Sequence, residues 1–367
     1  MNKTNYEKEI EKKYEEFEKA FHSPTIAILG GTGCGKSSLI NTIFGEQVAK
    51  VSNIQPETQE FEMFKGKEIG INVNLIDSKG YELEDNSTNF IERFKNKMTE
   101  LKNNGETVHL VWFCLSVAKK RIEDIDINIL QELLNINELK NRIIVVITKC
   151  DEDDDSGSIA NSYKEILSKI FPKIKVFETS NDKELPLQLD ELLQVSADSL
   201  EDEDMKKAFI NSQKNNLALK RTQAEKVIPK YVAGAGVIGA TPIPFSDAPL
   251  LISGQLAMFA EITSIYGVRN MNNLGKGVIS QVVIGQLGKS LAGSLIKLIP
   301  GVGTIVGGAI NATVASSITY ALGKAISEIC YRSCENVLQG KNDNLINMLE
   351  NELPNLFKYF FSTEKNK

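Results

Sequence analysis

At 367 residues the chain is too long for one ordinary domain and comfortable for two. Apolar (42%) and charged (25%) content both sit near globular averages, which excludes wholesale disorder. The net charge of -6 is mild but unevenly spread: 205–340 holds 13 basic and 5 acidic residues, so this part is positive and the remainder strongly negative, and the two parts are expected to meet different partners.

The N-terminal stretch 1–22 is a charged Glu/Lys run, opposite in character to an apolar signal core. Tyr6, Ile10, Tyr14, Phe17 and Phe21 fall at helical spacing and predict an amphipathic helix packed on its neighbours. From residue 23 to about 200 apolar runs of strand length alternate with helix-period segments. The predicted strands are Thr25–Leu29, Gln59–Phe64, Ile71–Ile76, Val108–Leu115, Ile143–Thr148 and Lys175–Thr179. The predicted helices are Lys36–Phe44, Asn86–Lys102, Ile122–Leu139, Ser158–Ile170 and Leu187–Ser199. Such alternation builds an α/β domain, a mostly parallel six-stranded sheet with helices on both faces. A short turn at Lys65-Gly66-Lys67 separates the edge pair Gln59–Phe64 and Ile71–Ile76 and predicts one antiparallel edge strand.

Residues 201–223 read as an acidic-to-basic linker or helix, 224–340 as an all-α, Gly-rich apolar domain, and 341–367 as a C-terminal tail. Charge is absent from Tyr231–Ser246, from Ala248–Ala260 and from Leu298–Gly323. Prolines in 241–249 predict the turn of a helical hairpin spanning Tyr231–Gly267, with Asp247 as a helix cap. A second apolar hairpin breaks at Ile299-Pro300-Gly301-Val302-Gly303.

Five cysteines (Cys34, Cys114, Cys150, Cys330, Cys334) form an odd set that fits a reducing, cytoplasmic compartment. Cys330 and Cys334 share a helical face without further metal ligands and read as buried thiols. His22 and His109 likewise have no metal-ligating neighbours in sequence.

Chemistry concentrates in the first domain. Gly30-Gly31-Thr32-Gly33-Cys34-Gly35-Lys36-Ser37, with Ser38 after it, follows a strand and opens a helix, the context of a phosphate-binding loop. Glycines allow backbone N–H groups to face phosphates, and the helix N-terminus favours anions. Lys36 is expected to reach the β- and γ-phosphates and Ser37 to ligate Mg²⁺. Thr148-Lys149-Cys150-Asp151 fits the [NT]-K-x-D pattern: Asp151 can accept from guanine N1–H and N2–H₂ together, which adenine cannot offer, while the Lys149 stem lies along the base. Asp77-Ser78-Lys79-Gly80 at a strand end places Asp77 to hold Mg²⁺ through water and the Gly80 N–H to bond the γ-phosphate. Thr58 is the candidate switch threonine completing the Mg²⁺ shell, with Ser52 nearby. Thr179-Ser180-Asn181 suits the loop that backs the guanine, Ser180 donating a backbone N–H. The expected cofactors are therefore GTP or GDP and Mg²⁺, with Lys36, Thr58 and Gly80 carrying hydrolysis.

In order and spacing these five elements resemble the Ras-like, translation-factor-related P-loop GTPases over about half the chain. The short T-G-x-G-K-S loop is similar to that of septin, Toc and immunity-related GTPases. Two departures matter. Tyr81 stands where Ras-type proteins carry the water-orienting Gln, and Gly33 where potassium-dependent Era-like relatives carry Asn. The resemblance therefore implies slow intrinsic hydrolysis, helped by an activating partner or a second copy. The turn at 242–247, Gln255, Tyr266-Gly267 and the bend at 299–303 resemble the YcjF-type hydrophobic domain found beside bacterial GTPase domains, which implies association with a membrane.

Physical chemistry leaves two readings of 231–323 open. Leu298–Gly323 has the length of a span, and Gly303 with Gly307 makes a close-packing pattern for helices in lipid. Pro300, five glycines and Asn311 favour a bundle packed in water. The basic surplus suits anionic lipid or an acidic protein equally. The expected function is a slow GTP hydrolase whose nucleotide state controls membrane or partner association. The alternatives are a nucleotide-gated scaffold and a ribosome-assembly GTPase. No nucleic acid is expected, because aromatic-basic interleaving is lacking.

Overall fold

The computed structural model describes residues 12–13, 15–17, 19, 21–45, 48, 61–82, 86–154, 156–182, 185, 187–214, 216–239, 248–268, 312–341 and 345–364. The chain divides into two compact units, His22–Asn216 and Leu217–Lys367 with Met1–Phe21.

In the first unit the elements run β1 (Thr25–Gly30), α1 (Lys36–Phe44), β2 (Phe61–Phe64), β3 (Asn74–Ser78), α2 (Ser87–Asn103), β4 (Leu110–Ser116), α3 (Asp124–Leu134), β5 (Ile143–Thr148), α4 (Ser158–Ile170), β6 (Lys175–Glu178), α5 (Leu189–Asp198) and α6 (Glu203–Ser212). Sheet order is β2-β3-β1-β4-β5-β6. β2 pairs antiparallel to β3, and all other neighbours are parallel, as the alternating pattern predicts. Parallel strands buried on both faces read as continuous apolar runs, and β4 and β5 are buried at every position. Ala27, Leu29, Val111, Phe113, Val145 and Ile147 form a core with Phe90 and Phe94 of α2, Ile129 of α3 and Leu167 of α4. On the opposite face Trp112 stacks on Phe44 of α1, meets Phe209 of α6 edge-on, and donates its indole N–H to Ser196 of α5 at 3.0 Å. Part of the stretch read as a linker or helix, 201–223, is a helix packed on this unit, with Phe209 fully buried.

Two further differences from expectation have local causes. Strand β3 starts at Asn74 rather than Ile71, because the chain folds back on Gly66: the Ile71 N–H donates to the Gly66 carbonyl at 2.9 Å. A Cβ on Gly66 would lie 2.6 Å from the Ile71 carbonyl oxygen. The predicted helix Ile122–Leu139 breaks after Asn135, where extended Ile136 leads into a short 3₁₀ turn and both Ile136 and Leu139 are buried.

The second unit is helical: α7 (Leu217–Gly239), α8 (Ala248–Tyr266), α9 (Ala312–Leu338), α10 (Leu345–Asn351) and α11 (Leu353–Glu364). Its first helix begins at Leu217, not Tyr231, because loss of charge at 231 marks a change of surroundings rather than a helix start. Gly323 of α9 lets Ile228 of α7 and Met258 of α8 approach to 3.0 Å of where its Cβ would be. Arg221 pairs with Glu328 at 2.6 Å and lies over the Tyr331 ring, and Lys324 pairs with Glu225 at 2.7 Å. The stretch read as a tail, 341–367, holds packed helices, with Leu345 and Phe357 buried and Phe357 stacked on Phe361. Residues 240–247 and 269–311, which include most of the proline turn and the bend at 299–303, lie outside the described residues, as do Tyr6, Ile10 and Tyr14. Among the described residues no helix is long and apolar enough to cross a membrane.

Candidate functional site

The carboxyl ends of β1, β3, β4, β5 and β6 lie along one edge of the sheet, where ligands of open α/β sheets bind. Gly30 ends β1, and Gly33 and Gly35 hold the left-handed conformation (φ 72° and 88°) that turns the loop into α1. Lys36 opens that helix, and its ammonium donates to the Gly30 and Gly31 carbonyls at 3.0 and 3.1 Å. The charge is thereby held in the mouth of the loop, nearly buried, where an anion would meet it.

Thr148, at the end of β5, ties this loop to the next motif. Its hydroxyl makes a short hydrogen bond to the Cys34 carbonyl and lies 3.2 Å from the Leu115 carbonyl. A Cβ on Gly35 would lie 3.5 Å from Thr148 Cβ and 3.8 Å from Lys149 Cγ, so the lysine stem runs beside the loop. Lys149 itself is left-handed (φ 59°) and leads into the turn Cys150–Glu152. The Asp151 carboxylate is exposed and accepts the Ser180 hydroxyl at 2.8 Å. Ser180 Oγ in turn accepts the Asp182 N–H at 2.8 Å. Ser180 therefore orients Asp151 through its side chain, where the sequence suggested only its backbone. Asn181 accepts the Thr42 hydroxyl at 3.3 Å, which joins this loop to α1.

Asp77 lies within β3 rather than after it, opposite Ile28 of β1 and Glu62 of β2. Its Oδ1 is buried without a hydrogen-bond partner among the described residues. Burial pushes its carboxyl up to about 6, with the Lys36 charge opposing and Glu62 adding to the rise. An orphaned buried carboxylate oxygen with the Ser37 hydroxyl on the adjoining helix is a hard-oxygen donor pair that fits Mg²⁺. Thr58 and Ser52 lie outside the described residues.

Gly80 (φ 84°) lies against the phosphate loop: a Cβ there would be 2.7 Å from the Thr32 nitrogen. The Thr32 N–H donates to the Tyr81 carbonyl at 3.0 Å, clamping the start of this segment onto the loop. The Tyr81 ring edge lies beside the loop, with Cε2 3.6 Å from where a Gly31 Cβ would be, while its hydroxyl end runs into the core. The side chain is fully buried, stacks on Phe113 at 6.4 Å, meets Phe90 edge-on at 5.3 Å, and its hydroxyl bonds Asp126. Position 81 thus offers no polar side chain to the phosphates.

Lys119, which no motif singled out, belongs to this site. Its Nζ lies 2.6 Å from where a Gly31 Cβ would be, at the notch between the phosphate loop and Tyr81. It sits in a short turn after β4, and nothing in its sequence neighbourhood announces that position.

Residues 25–149 match the family model described as 50S ribosome-binding GTPase, and residues 204–357 match a domain of unknown function, DUF697. Similar curated proteins include magnetosome membrane protein 22 of Magnetospirillum gryphiswaldense, 33% identical over 105 residues, covering 28% of this chain and 54% of that one. GTPase Der of Karelsulcia muelleri is 30% identical over 190 residues, covering 49% and 42%. Translocase of chloroplast 34 of Arabidopsis thaliana is 35% identical over 95 residues, covering 25% and 30%. The chain spans about half or less of the length of these relatives. Among solved structures, Era of Aquifex aeolicus bound to GDP and aluminium fluoride matches with a TM-score of 0.34 at 20% identity, covering 48% of this chain and 57% of that one. With the loop geometry and mostly parallel sheet above, the chain carries a P-loop GTPase domain of the 50S ribosome-binding GTPase type followed by a helical DUF697 domain.

Proposed function

We propose that this protein binds GTP and GDP with Mg²⁺, hydrolyses GTP slowly, and uses its nucleotide state to control how the helical domain associates with a membrane surface or a partner. The supporting observation is the Thr148 hydroxyl on the Cys34 carbonyl, with the Lys149 stem beside Gly35 and the Asp151 carboxylate held by Ser180. Residues 30–38 cradle the phosphates, with Lys36 neutralising charge at the β- and γ-positions. Lys149, Asp151, Ser180 and Asn181 hold the guanine. Ser37, Asp77 and Thr58 hold Mg²⁺, which when bound neutralises phosphate charge. The Gly80 N–H faces the γ-phosphate. Hydrolysis is slow because Tyr81 is committed to the core by Phe113 and Asp126, so an activating partner or a second copy completes the site.

Membrane association rests on the charge-free runs 231–246 and 298–323 and on the basic surplus of 205–340. The association is from the cytoplasmic side, peripheral or integral.

Guanine selectivity tests the core of this reading. Asp151→Asn loses the double acceptor and moves preference from guanine toward xanthine nucleotides in a competition assay. If the unaltered protein prefers ATP to GTP, the reading fails.

A further inference from the structure

Lys119 stands in the short turn after β4, half-buried, and its ammonium reaches back to the phosphate loop, 2.6 Å from where a Gly31 Cβ would be. Among the described residues that ammonium makes no hydrogen bond or ion pair. Its surroundings explain why. Arg121 takes Glu123 at 2.7 Å. Asp126, which lines the same small hollow, is already occupied: one oxygen accepts the Tyr81 hydroxyl and the other the Glu123 N–H at 2.9 Å. A cation held there without a carboxylate is available to an anionic ligand.

Gly31 leaves the room that Lys119 fills. Unlike Gly33 and Gly35 it holds no positive φ, so its backbone would accept a side chain. The other atoms near that Cβ are the Tyr81 carbonyl oxygen at 3.4 Å and Tyr81 Cε2 at 3.6 Å, both ordinary contacts. Only the ammonium would have to move. Lys36 meets the same residue at its carbonyl, 3.1 Å away, and Gly80 lies against Thr32, the next residue of the loop. Lys119 thus shares the Gly31-Thr32 segment with Lys36 and Gly80.

We propose that Lys119 is a second cation of the nucleotide site, contacting the γ-phosphoryl group of GTP, so that it separates GTP from GDP and carries part of the charge that hydrolysis moves. The assignment rests on the proposed function, in which the Gly80 N–H faces the γ-phosphate. In that reaction the oxygen of water bonds to the γ-phosphorus and the bond from phosphorus to the β–γ bridging oxygen breaks. GDP and inorganic phosphate result, one water proton staying on the phosphate and the other being released. Negative charge grows on the oxygens around the γ-phosphorus along the way, and a positioned cation lowers that cost without exchanging a proton. Tyr81, committed to the core, supplies no polar group there.

The test uses the full-length protein with Mg²⁺. Binding is measured for fluorescent GDP, for a non-hydrolysable GTP analogue, and for GDP with aluminium fluoride, which stands in for the γ-phosphoryl group in transit; single-turnover hydrolysis is timed beside it. Lys119→Met keeps the stem and loses the charge. Affinity for the GTP analogue and for GDP with aluminium fluoride should fall at least about tenfold, GDP affinity should stay within about twofold, and hydrolysis should slow at least about tenfold. Lys119→Arg should recover most of the loss. Gly31→Ala should lower the preference for the GTP analogue over GDP to a similar extent, and the double variant should lose little more, because both changes remove the same ammonium. Equal weakening for GDP and the GTP analogue, in Lys119→Met and again in Lys119→Gln, would overturn the proposal and make Lys119 a support of the loop. Unchanged affinities and rate, or losses that add in full in the double variant, would overturn it too. If the unaltered protein binds neither guanine nucleotide, the proposed function itself falls, whereas guanine-nucleotide binding that ignores Lys119 strikes only this assignment.

Discussion

In the nucleotide domain the buried Asp77 carboxylate keeps an oxygen without a hydrogen-bond partner among the described residues, while Lys36 is held by atoms of the loop itself, the Gly30 and Gly31 carbonyls and the Cys34 sulfur. In the helical domain the fully buried Lys220 ammonium donates to the Tyr266 carbonyl at 2.8 Å, and the buried Glu261 carboxylate takes the Tyr231 hydroxyl at 2.6 Å. Leaving a buried polar atom unmatched costs free energy, most of all on a charged group, so such an atom needs a ligand, an ion or a water to complete it. The difference teaches which buried charges serve a ligand and which serve the fold. On the proposed function Lys36 and Asp77 belong to the first kind; Lys220 and Glu261, matched within the helical domain, belong to the second.

The comparison breaks most visibly at the core. Trp112 packs against Phe44 and Phe209 and bonds Ser196, so Trp112→Ala should cost about 3–5 kcal/mol. That is a large part of the roughly 5–15 kcal/mol available to a domain. Buried thiols report each domain separately: Cys114 lies in the nucleotide domain, Cys330 and Cys334 in the helical one. Pulsed alkylation in urea should show Cys114 labelled at much lower urea in the variant, with Cys330 and Cys334 unchanged. Equal loss of protection at all three would show one cooperative molecule rather than two domains.

Lys36→Ala tests the ligand-directed class. It removes a charge-assisted contact worth roughly 1.5–3 kcal/mol, so GTP affinity should fall about 10- to 150-fold. Cys114 protection without nucleotide should change little, because the carbonyls Lys36 touches lie in the loop. Unchanged affinity in a folded variant would remove Lys36 from the site.

Lys220 tests the fold-directed class through pH. Burial pulls its pKa down to about 8 from an ordinary value near 10.5. The unfolded chain therefore holds the proton more tightly than the folded one across that window. Stability should rise as pH goes from about 8 toward 10, because a penalty present at lower pH is relieved. The facing Cys334 thiol is pushed up to about 11 and titrates beyond the window. Lys220→Met should abolish this rise while changing stability at pH 7 by no more than about 1–2 kcal/mol, since lost desolvation offsets the lost bond to Tyr266. Urea midpoints followed by Cys330 and Cys334 alkylation, normalised to the unfolded labelling rate at each pH, supply the measurement. A rise of the same size in the variant would assign it to another group.

How much of this was legible in the sequence depends on how local the cause is. Helices Lys36–Phe44 and Ser158–Ile170 run as predicted: Gly35 and Gly157 mark their starts and Gly45 the end of the first. The antiparallel edge followed from alternation and a nearby turn. The start of β3 was misplaced because Gly66 gathers residues five and seven positions later, a close approach that periodicity does not carry. At the site, motif residues 30–38, 77–80, 148–151 and 180–181 were named from spacing, since backbone turns are encoded in short stretches. Lys119 near Gly31 and Asp126 under Tyr81 were not, because these contacts join segments 88 and 45 residues apart. Thr58 and the bend at 299–303 lie outside the described residues.

The smallest expected effect is the one that joins the two domains. On the proposed function, γ-phosphate and Mg²⁺ would order the segments that carry Thr58 and Gly80, and hydrolysis would release them. A fused domain responds only if its free energy differs between those two states. Coupling energies of this kind run about 1–3 kcal/mol, so the low end, about fivefold in an equilibrium, is enough to look for. Val237, which is 71% exposed in the charge-free end of α7, marks the segment where such a difference should register. Hydrogen exchange across 217–239, 248–268 and 312–338 is to be compared with GDP and with a non-hydrolysable GTP analogue, each with and without anionic liposomes. The expected result is a several-fold change in protection within 231–260 between nucleotides, enlarged by liposomes. Adding salt should shrink the liposome effect, since attraction between basic residues and an anionic surface is screened within about 8–10 Å at physiological ionic strength. Identical protection in all four conditions would make the helical domain a passive bundle or a constitutive anchor. A nucleotide effect that ignores liposomes would instead favour a protein partner over a membrane.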